Sequence, residues 1–229
     1  RYRNGYNRRM GKREPMNHIL TPPSVLDAYA ANRLQEESAA VCLFVDTAGF
    51  TPLTSALIAH GTEGAEVLAQ VLADIFTPLL AIVYAHGGYV AGFAGDAIKA
   101  IFPGLSAASH QRAATAAWQI RQQMLAHPVQ NTRFGAFRFA VKVTMASGPV
   151  EWRIWRAAET ENNADFQQQA ALLFGGAALA QALAADPLVQ AGEIVMTAAV
   201  AAQLPPAATL EAVADHFRLC AWSVTTPVV

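Results

Sequence analysis

The chain has 229 residues, of which 53% are hydrophobic and only 14% charged, which indicates a single domain with a large buried core and argues against disorder. The formal net charge is −1, but residues 1–13 carry six basic side chains and no acidic one, so the remainder has a net charge of −7. Nucleic-acid-binding domains are expected to be basic, whereas the remainder of this chain is acidic, so we expect no nucleic-acid partner.

Three segments follow from composition along the chain. Residues 1–14 form a basic leader, for which a flexible tail is a better interpretation than a membrane or nucleic-acid contact. Residues 15–37 lead into the domain and contain a short helix that begins near Val25, with a cap offered by the TPPS segment at 21–24. Residues 38–229 form the main domain.

The first part of the main domain predicts a strand followed by two helices. The continuous apolar run at 39–45 is typical of a strand that is buried on both faces. A helix begins at Thr51, and a second, long helix runs from 62 to about 85. The stretch at 67–85 is apolar, but three polar or helix-interrupting residues favour packing against a sheet over a membrane span. These residues are Gln70, Asp74 and Pro78.

The next part predicts a hairpin, a helix and a pair of strands. The hairpin strands are 89–93 and 97–102, with Asp96 at their connection. A helix at 106–126 follows, with apolar residues three and four positions apart. Alternation then predicts a strand at 137–145, and Gly148-Pro149 predicts a turn into a further strand. The later elements are strands at 150–155, 170–174, 193–196 and 217–222, helices at 177–185 and 197–204, and a polar loop or arm at 159–169.

A hairpin bracketed by helices and followed by an antiparallel pair predicts an α+β fold with a ferredoxin-like βαββαβ core. The two cysteines, Cys42 and Cys220, are too few for a disulfide framework. A reducing, cytoplasmic location is therefore the expectation.

Two aspartates carry most of the chemical information. Asp46 ends the first buried strand, and Asp96 lies in the turn of the hairpin. Mg²⁺ takes oxygen ligands and is commonly held by one or two carboxylates together with substrate phosphates. The small residues Ala48 and Gly49 precede a helix start, where free backbone N–H groups bind anions. Together these features predict a combined metal and phosphate site.

Two motifs resemble the catalytic domain of class III adenylyl and guanylyl cyclases. They are FVDTAGFT at 44–51 and GGYVAGFAGDA at 87–97, and the resemblance covers roughly residues 38–229. It is greatest for the branch that includes soluble, bicarbonate-responsive adenylyl cyclases. The family fold is a ferredoxin-like core with added elements, and two such domains pair head to tail with their sites at the interface.

The resemblance implies a role for each matching residue. Asp46 and Asp96 would be the metal ligands for two Mg²⁺ or Mn²⁺ ions, with the Thr47 carbonyl as a further ligand. Ala48, Gly49, Phe50 and Thr51 would lie under the phosphates. The implied reaction is attack of the ribose 3′-OH of a nucleoside triphosphate, with ATP favoured, on the α-phosphorus, which gives a 3′,5′-cyclic nucleotide and pyrophosphate.

The half of the site that a partner domain supplies in this family does not match. The base-reading lysine falls on Gly92, and the second base reader falls on Leu172 or Leu173. The ribose-binding asparagine and the arginine that stabilises the transition state also fall on apolar residues. In the two possible registers these are Leu179 and Leu183, or Ala180 and Ala184. Lys99 is more readily explained as a solvent-facing strand residue than as a substitute base reader.

Three functions remain open on this basis. In the first, the chain is the metal-donating half of a heteromeric or tandem cyclase pair and is weak or inactive alone, because an arginine that stabilises transition-state charge contributes orders of magnitude in rate. In the second, it is a catalytically inactive regulatory or dimerisation module. In the third, it senses a nucleotide without turning it over. Retention of both Asp46 and Asp96 favours the first.

Overall fold

The structure, a computed structural model, describes residues 21–156 and 170–223. The basic leader at 1–14 and the polar segment at 159–169 lie outside the described residues. The helices are α1 (Pro23–Ala30), α2 (Phe50–Ile58), α3 (Gly61–Ala85), α4 (Ala107–Ala126), α5 (Ala177–Ala184) and α6 (Ala198–Ala201), with a short 3-10 turn at Asp186–Leu188. The strands are β1 (Gln35–Ala48), β2 (Tyr89–Ala94), β3 (Ala97–Pro103), β4 (Val129–Thr132), β5 (Gly135–Arg138), β6 (Ala140–Arg156), β7 (Ala170–Gly175), β8 (Ile194–Thr197), β9 (Thr209–Val213) and β10 (His216–Ala221).

The main sheet of the described residues has the strand order β2-β3-β1-β6-β8-β10-β9, with β7 paired to the far part of β6. Within it, β1 pairs antiparallel with both β3 and β6, and β2 pairs antiparallel with β3. The helices α2 and α3 connect β1 to β2, and α4 lies between β3 and β6 in sequence. This arrangement confirms the predicted α+β fold with a ferredoxin-like βαββαβ core.

Strand β1 is buried on both faces because its alternate side chains enter two different cores. Val41, Leu43 and Val45 pack with α2, α3 and α4 on one face of the sheet. Cys42 and Phe44 point to the other face, where they pack against residues of α5. Side chains of a strand alternate between faces, so a continuous apolar run is what a strand covered on both sides requires.

The predicted turn at Gly148-Pro149 is wrong. Strand β6 continues through both residues, because its ladder with β1 is unbroken from Gln35↔Arg153 to Ala48↔Ala140, and it places Pro149 opposite Ala39. Proline favours turns, yet its fixed φ is also compatible with an extended strand. Pairing with a long neighbouring strand therefore decides the outcome at this position.

The strand predicted at 137–145 is divided in the structure. Phe137 belongs to β5, which forms a small separate hairpin with β4, whereas β6 begins at Ala140. The sequence also gave no separate signal for β4 or β9. The residue that precedes α1 is Pro22, which makes no side-chain cap hydrogen bond.

Helix α3 is long and apolar enough to cross a membrane by length and composition alone. In the structure one stripe of it packs into the main core, through Val71, Ile75, Leu79 and Val83. On its exposed side, Gln70 donates a hydrogen bond to Asp74. This burial of one face against the sheet agrees with the sequence-based interpretation of the segment as a packed helix.

The two cysteines are free and differ in environment. Cys42 is fully buried in β1, and burial raises the pKa of its thiol to about 12, whereas Cys220 is exposed in β10. Only a thiolate reacts quickly with a disulfide reagent, so a buried, protonated thiol is inert. The reactivity of the Cys42 thiol therefore indicates whether the core is intact, and that of Cys220 serves as a surface reference.

We predict that a thiol reagent such as Ellman's reagent labels only Cys220 in the native chain at about pH 8. Unfolding in guanidinium chloride should expose Cys42 and double the number of reacting thiols. The variant Cys220→Ser serves as the control and should show no reaction until the chain unfolds. Reaction of Cys42 at the rate of a free thiol in folded Cys220→Ser would contradict the buried position of β1.

Candidate metal and phosphate site

The sheet brings Asp46 and Asp96 to the same end of two paired strands. The last register pair of the β1–β3 ladder is Val45↔Ile98. One further step would place Asp46 opposite Ala97, the residue next to Asp96. Neighbouring strands lie about 4.8 Å apart, so the backbones of the two aspartates are close. Both residues are partly exposed, which leaves their carboxylates accessible.

The carboxylate of Asp46 already holds a cation, the ammonium of Lys142. Lys142 Nζ lies 3.0 Å from Asp46 Oδ2 and 2.9 Å from Asp186 Oδ2. Lys142 reaches Asp46 because the two residues are directly opposite in the β1–β6 register. Asp186 comes from the 3-10 turn that follows α5. Two carboxylates thus share one ammonium group.

The pKa of Lys142 is raised by this environment. Burial by itself lowers the pKa, but hydrogen bonds and charge interactions with Asp186 and Asp46 offset that effect and raise the pKa above the usual lysine value. Lys142 is therefore positively charged at neutral pH. The position next to Asp46 is one where the protein already stabilises positive charge.

The loop at 47–51 is fixed by packing. Gly49 has a φ of +121°, and a Cβ there would collide with the carbonyl oxygen of Arg138 and with the side chain of Phe139. Phe50 begins α2 and is buried, with its ring 5.1 Å from that of Phe139. The predicted helix start at Thr51 is thus one residue late, and Thr51 is exposed in the first turn of α2.

A row of aromatic rings connects this loop to the hairpin that carries Asp96. Phe50 stacks on Phe76 of α3 with ring centroids 5.7 Å apart, and Phe76 meets Phe93 of β2 edge to face at the same distance. Such pairs contribute about 1 kcal/mol each beyond burial. The contacts fix the loop after Asp46 relative to the strand that precedes Asp96.

The donor set fits a hard divalent cation. Carboxylate oxygens are ligands that Mg²⁺ and Mn²⁺ accept, and one of the two carboxylates is already paired with a positive charge. The described residues contain no group of three or more His, Cys, Asp or Glu residues that would hold a metal. Asp46 and Asp96 alone offer two carboxylates, so a cation held between them would need further oxygen ligands, such as those of a phosphate.

The residues at the partner-half positions lie in apolar packing or at the surface. Leu172 packs against α1, and Leu179 of α5 is buried against β1 and β6. Leu183 is exposed on the outer side of α5. Gly92 lies at a bulge of β2 opposite Lys99, and a Cβ on Gly92 would be 3.8 Å from Lys99 Cε. Lys99 is partly exposed, and its aliphatic stem lies beside Gly92.

Sequence reasoning missed Lys142 and Asp186. Lys142 is a polar residue on the alternating strand, and nothing local distinguishes it from a surface lysine. Asp186 precedes Pro187 at the end of α5 and has the pattern of an ordinary helix-end turn. The contacts of both with Asp46 depend on strand register and on helix docking, which short-range patterns do not encode.

No protein-family model matches the chain, and no curated protein sequence matches it. Solved structures do. The guanylate cyclase domain of RhGC from Catenaria anguillulae, in complex with GTP, is 15% identical with a TM-score of 0.60, and the match covers 82% of this chain and 100% of that one. The adenylyl cyclase CyaB from P. aeruginosa is 16% identical with a TM-score of 0.59, with 82% and 97% covered.

A third similar structure is the non-canonical dimeric guanylyl cyclase domain of the RhoGC fusion protein from the aquatic fungus Blastocladiella emersonii. It is 16% identical with a TM-score of 0.61, and the match covers 81% of this chain and 98% of that one. At these identities the likeness establishes the fold. The chain has the fold of class III adenylyl and guanylyl cyclase catalytic domains.

We predict that Gly49→Ala lowers the free energy of unfolding by about 3 kcal/mol, because the new methyl group collides with the Arg138 carbonyl and the backbone is held at positive φ. Gly61→Ala is the matched control. Gly61 also has positive φ, but a Cβ there meets nothing, so a cost of about 1 kcal/mol is expected. Urea denaturation followed by circular dichroism measures both, and equal costs would show that the loop relaxes around the methyl group.

Proposed function

From the cyclase fold, we propose that this chain is a nucleotidyl cyclase domain that supplies the metal-binding half of a paired active site. The observation that carries the proposal is the placement of Asp46 and Asp96 at the same end of the adjacent strands β1 and β3 within this fold. A module that served only as a scaffold would not need two partly exposed carboxylates at that point.

The reaction follows from the chemistry of such a site. Asp46 and Asp96, with the Thr47 carbonyl, would hold two divalent cations, Mg²⁺ or Mn²⁺. When bound, such cations neutralise triphosphate charge and lower the pKa of an attacking hydroxyl. The backbone of residues 48–51 at the start of α2 would lie under the phosphates. The ribose 3′-OH attacks the α-phosphorus, pyrophosphate leaves, and a 3′,5′-cyclic nucleotide forms.

The half-site role is supported by what occupies the other positions. Leu172 and Leu179 are apolar and at least partly buried, and Gly92 has no side chain, so none of the three offers a side-chain hydrogen bond to a base or a ribose. A second cyclase domain in a head-to-tail pair would supply those groups. We favour ATP as substrate, and on its two motifs we group the chain with the branch of soluble, bicarbonate-responsive adenylyl cyclases. Two free cysteines suit a cytoplasmic location.

The test is complementation. The partner should be a cyclase domain that keeps its base-reading lysine, asparagine and arginine but has both metal-binding aspartates replaced. We expect the mixture to form cyclic nucleotide with Mg²⁺ and ATP, whereas either chain alone forms little or none. Asp46→Ala should reduce the rate at least about 100-fold, because the site loses a direct ligand of the cations that stabilise transition-state charge.

Asp74→Ala is the matched control, because Asp74 lies on the outer side of α3 and, among the described residues, its side chain bonds only to Gln70. It should leave the rate unchanged. Nucleotide binding that requires Mg²⁺ and Asp46, without product in the complemented mixture, would indicate a nucleotide sensor. Absence of both binding and product would indicate an inactive regulatory or dimerisation module and overturn the proposal.

A further inference from the structure

Lys142 joins two carboxylates that belong to different parts of the fold. Its Nζ lies 3.0 Å from Asp46 on β1 and 2.9 Å from Asp186 beyond α5. The side chains of all three residues are only partly exposed, 21% for Lys142 and 24% for each aspartate. In such a place an ion pair is screened less by water than at an open surface.

The position of Asp186 is set by the docking of α5. Thr144 of β6 is fully buried and donates a hydrogen bond of 2.6 Å to the carbonyl of Ala182 in α5. Ala182 also packs against Phe44 and Ala146, so small residues let the helix lie close to the sheet. Asp186 follows four residues later, and the chain returns it to the side of Lys142. The contact is a fixed feature of the fold.

The shared ammonium and a divalent cation compete for one carboxylate. Lys142 contacts one oxygen of this carboxylate, Oδ2, and a divalent cation bound to Asp46 would repel the ammonium group. A charged lysine that leaves one partner in a partly buried place is costly unless another partner takes it. Asp186 is that partner, and its Oδ1 is buried with no hydrogen-bond partner among the described residues. An ammonium carries three donor hydrogens, so Asp186 has room to accept a second one.

We propose that Asp186 is a positioning residue for the cation site at Asp46. Asp186 holds the ammonium group of Lys142 when a divalent cation replaces that group on Asp46. The inference rests on the proposed function, since it assumes that Asp46 binds a cation. Asp186 then affects the affinity of the Asp46 site for a divalent cation, although it does not touch the cation. An alternative role, in which the ion pair only fastens the end of α5 to the sheet, predicts no effect on cation affinity.

A double-mutant cycle with Mn²⁺ as the probe tests this. Water proton relaxation measures Mn²⁺ binding to the full chain at one fixed pH. We expect Lys142→Met to tighten binding several-fold, because a competing cation is removed, and Asp186→Asn to weaken it about threefold to tenfold. In the Lys142→Met background, Asp186→Asn should change the affinity by less than about twofold, because the lysine through which it acts is gone.

Further variants separate the possible outcomes. Asp186→Glu keeps the charge and should retain most of the affinity, and Asp215→Asn, a carboxylate paired with His216 elsewhere, should have no effect. If Asp186→Asn unfolds in a thermal scan, Asp186→Ser replaces it in the cycle. An unchanged affinity in Asp186→Asn, or equal weakening in both backgrounds, overturns the proposal. If neither the unsubstituted chain nor Asp46→Asn binds Mn²⁺, the result overturns the cation binding at Asp46 on which the proposed function depends.

Discussion

The antiparallel ladder between β1 and β6 is the constraint on which the other features of the site depend. It runs through all of β1 in one register, from Gln35 to Ala48, and that register places Lys142 opposite Asp46. A shift of one residue would reverse every side chain of β1 between the two faces of the sheet. Val41 would then leave the main core, and Asp46 would turn from the face covered by α5 into that core. Burial of β1 on both faces makes such a shift energetically costly. The packing of the strand therefore fixes the position of the ion pair between Lys142 and Asp46.

Small residues explain how two helical layers approach this sheet. Ala113, Ala116 and Ala117 of α4 are fully buried on one side, and Ala178 and Ala182 of α5 on the other. Alanine lets a helix lie close to a strand and costs little side-chain entropy. The close approach of α5 brings the turn with Asp186 to the ladder.

The positions that the cyclase resemblance points to differ in polarity between the end of β1 and the elements β7 and α5. The end of β1 and the β2–β3 turn carry charged, partly exposed side chains, which suit cations and phosphates. Along β7 and α5 the corresponding positions either face apolar cores, as Leu172 and Leu179 do, or lie exposed without a polar group, as Leu183 does. Polar groups placed in these cores would need hydrogen-bond partners, and most of the surrounding side chains are apolar. The charged and the apolar positions therefore lie in different environments, and the apolar ones are at least partly buried in the cores or exposed on α5.

By itself the sequence determined the order of most elements, the α+β class and the two aspartates, because apolar periodicity and small-residue turns are local properties. It failed where long-range pairing overrides a local signal, as at Pro149, which continues a strand. Only the tertiary structure decided that Gly49 is required by the carbonyl of Arg138 and that Lys142 lies between Asp46 and Asp186. Those contacts join residues far apart in the chain, and their distances follow from sheet register and helix docking, which no short stretch of sequence encodes.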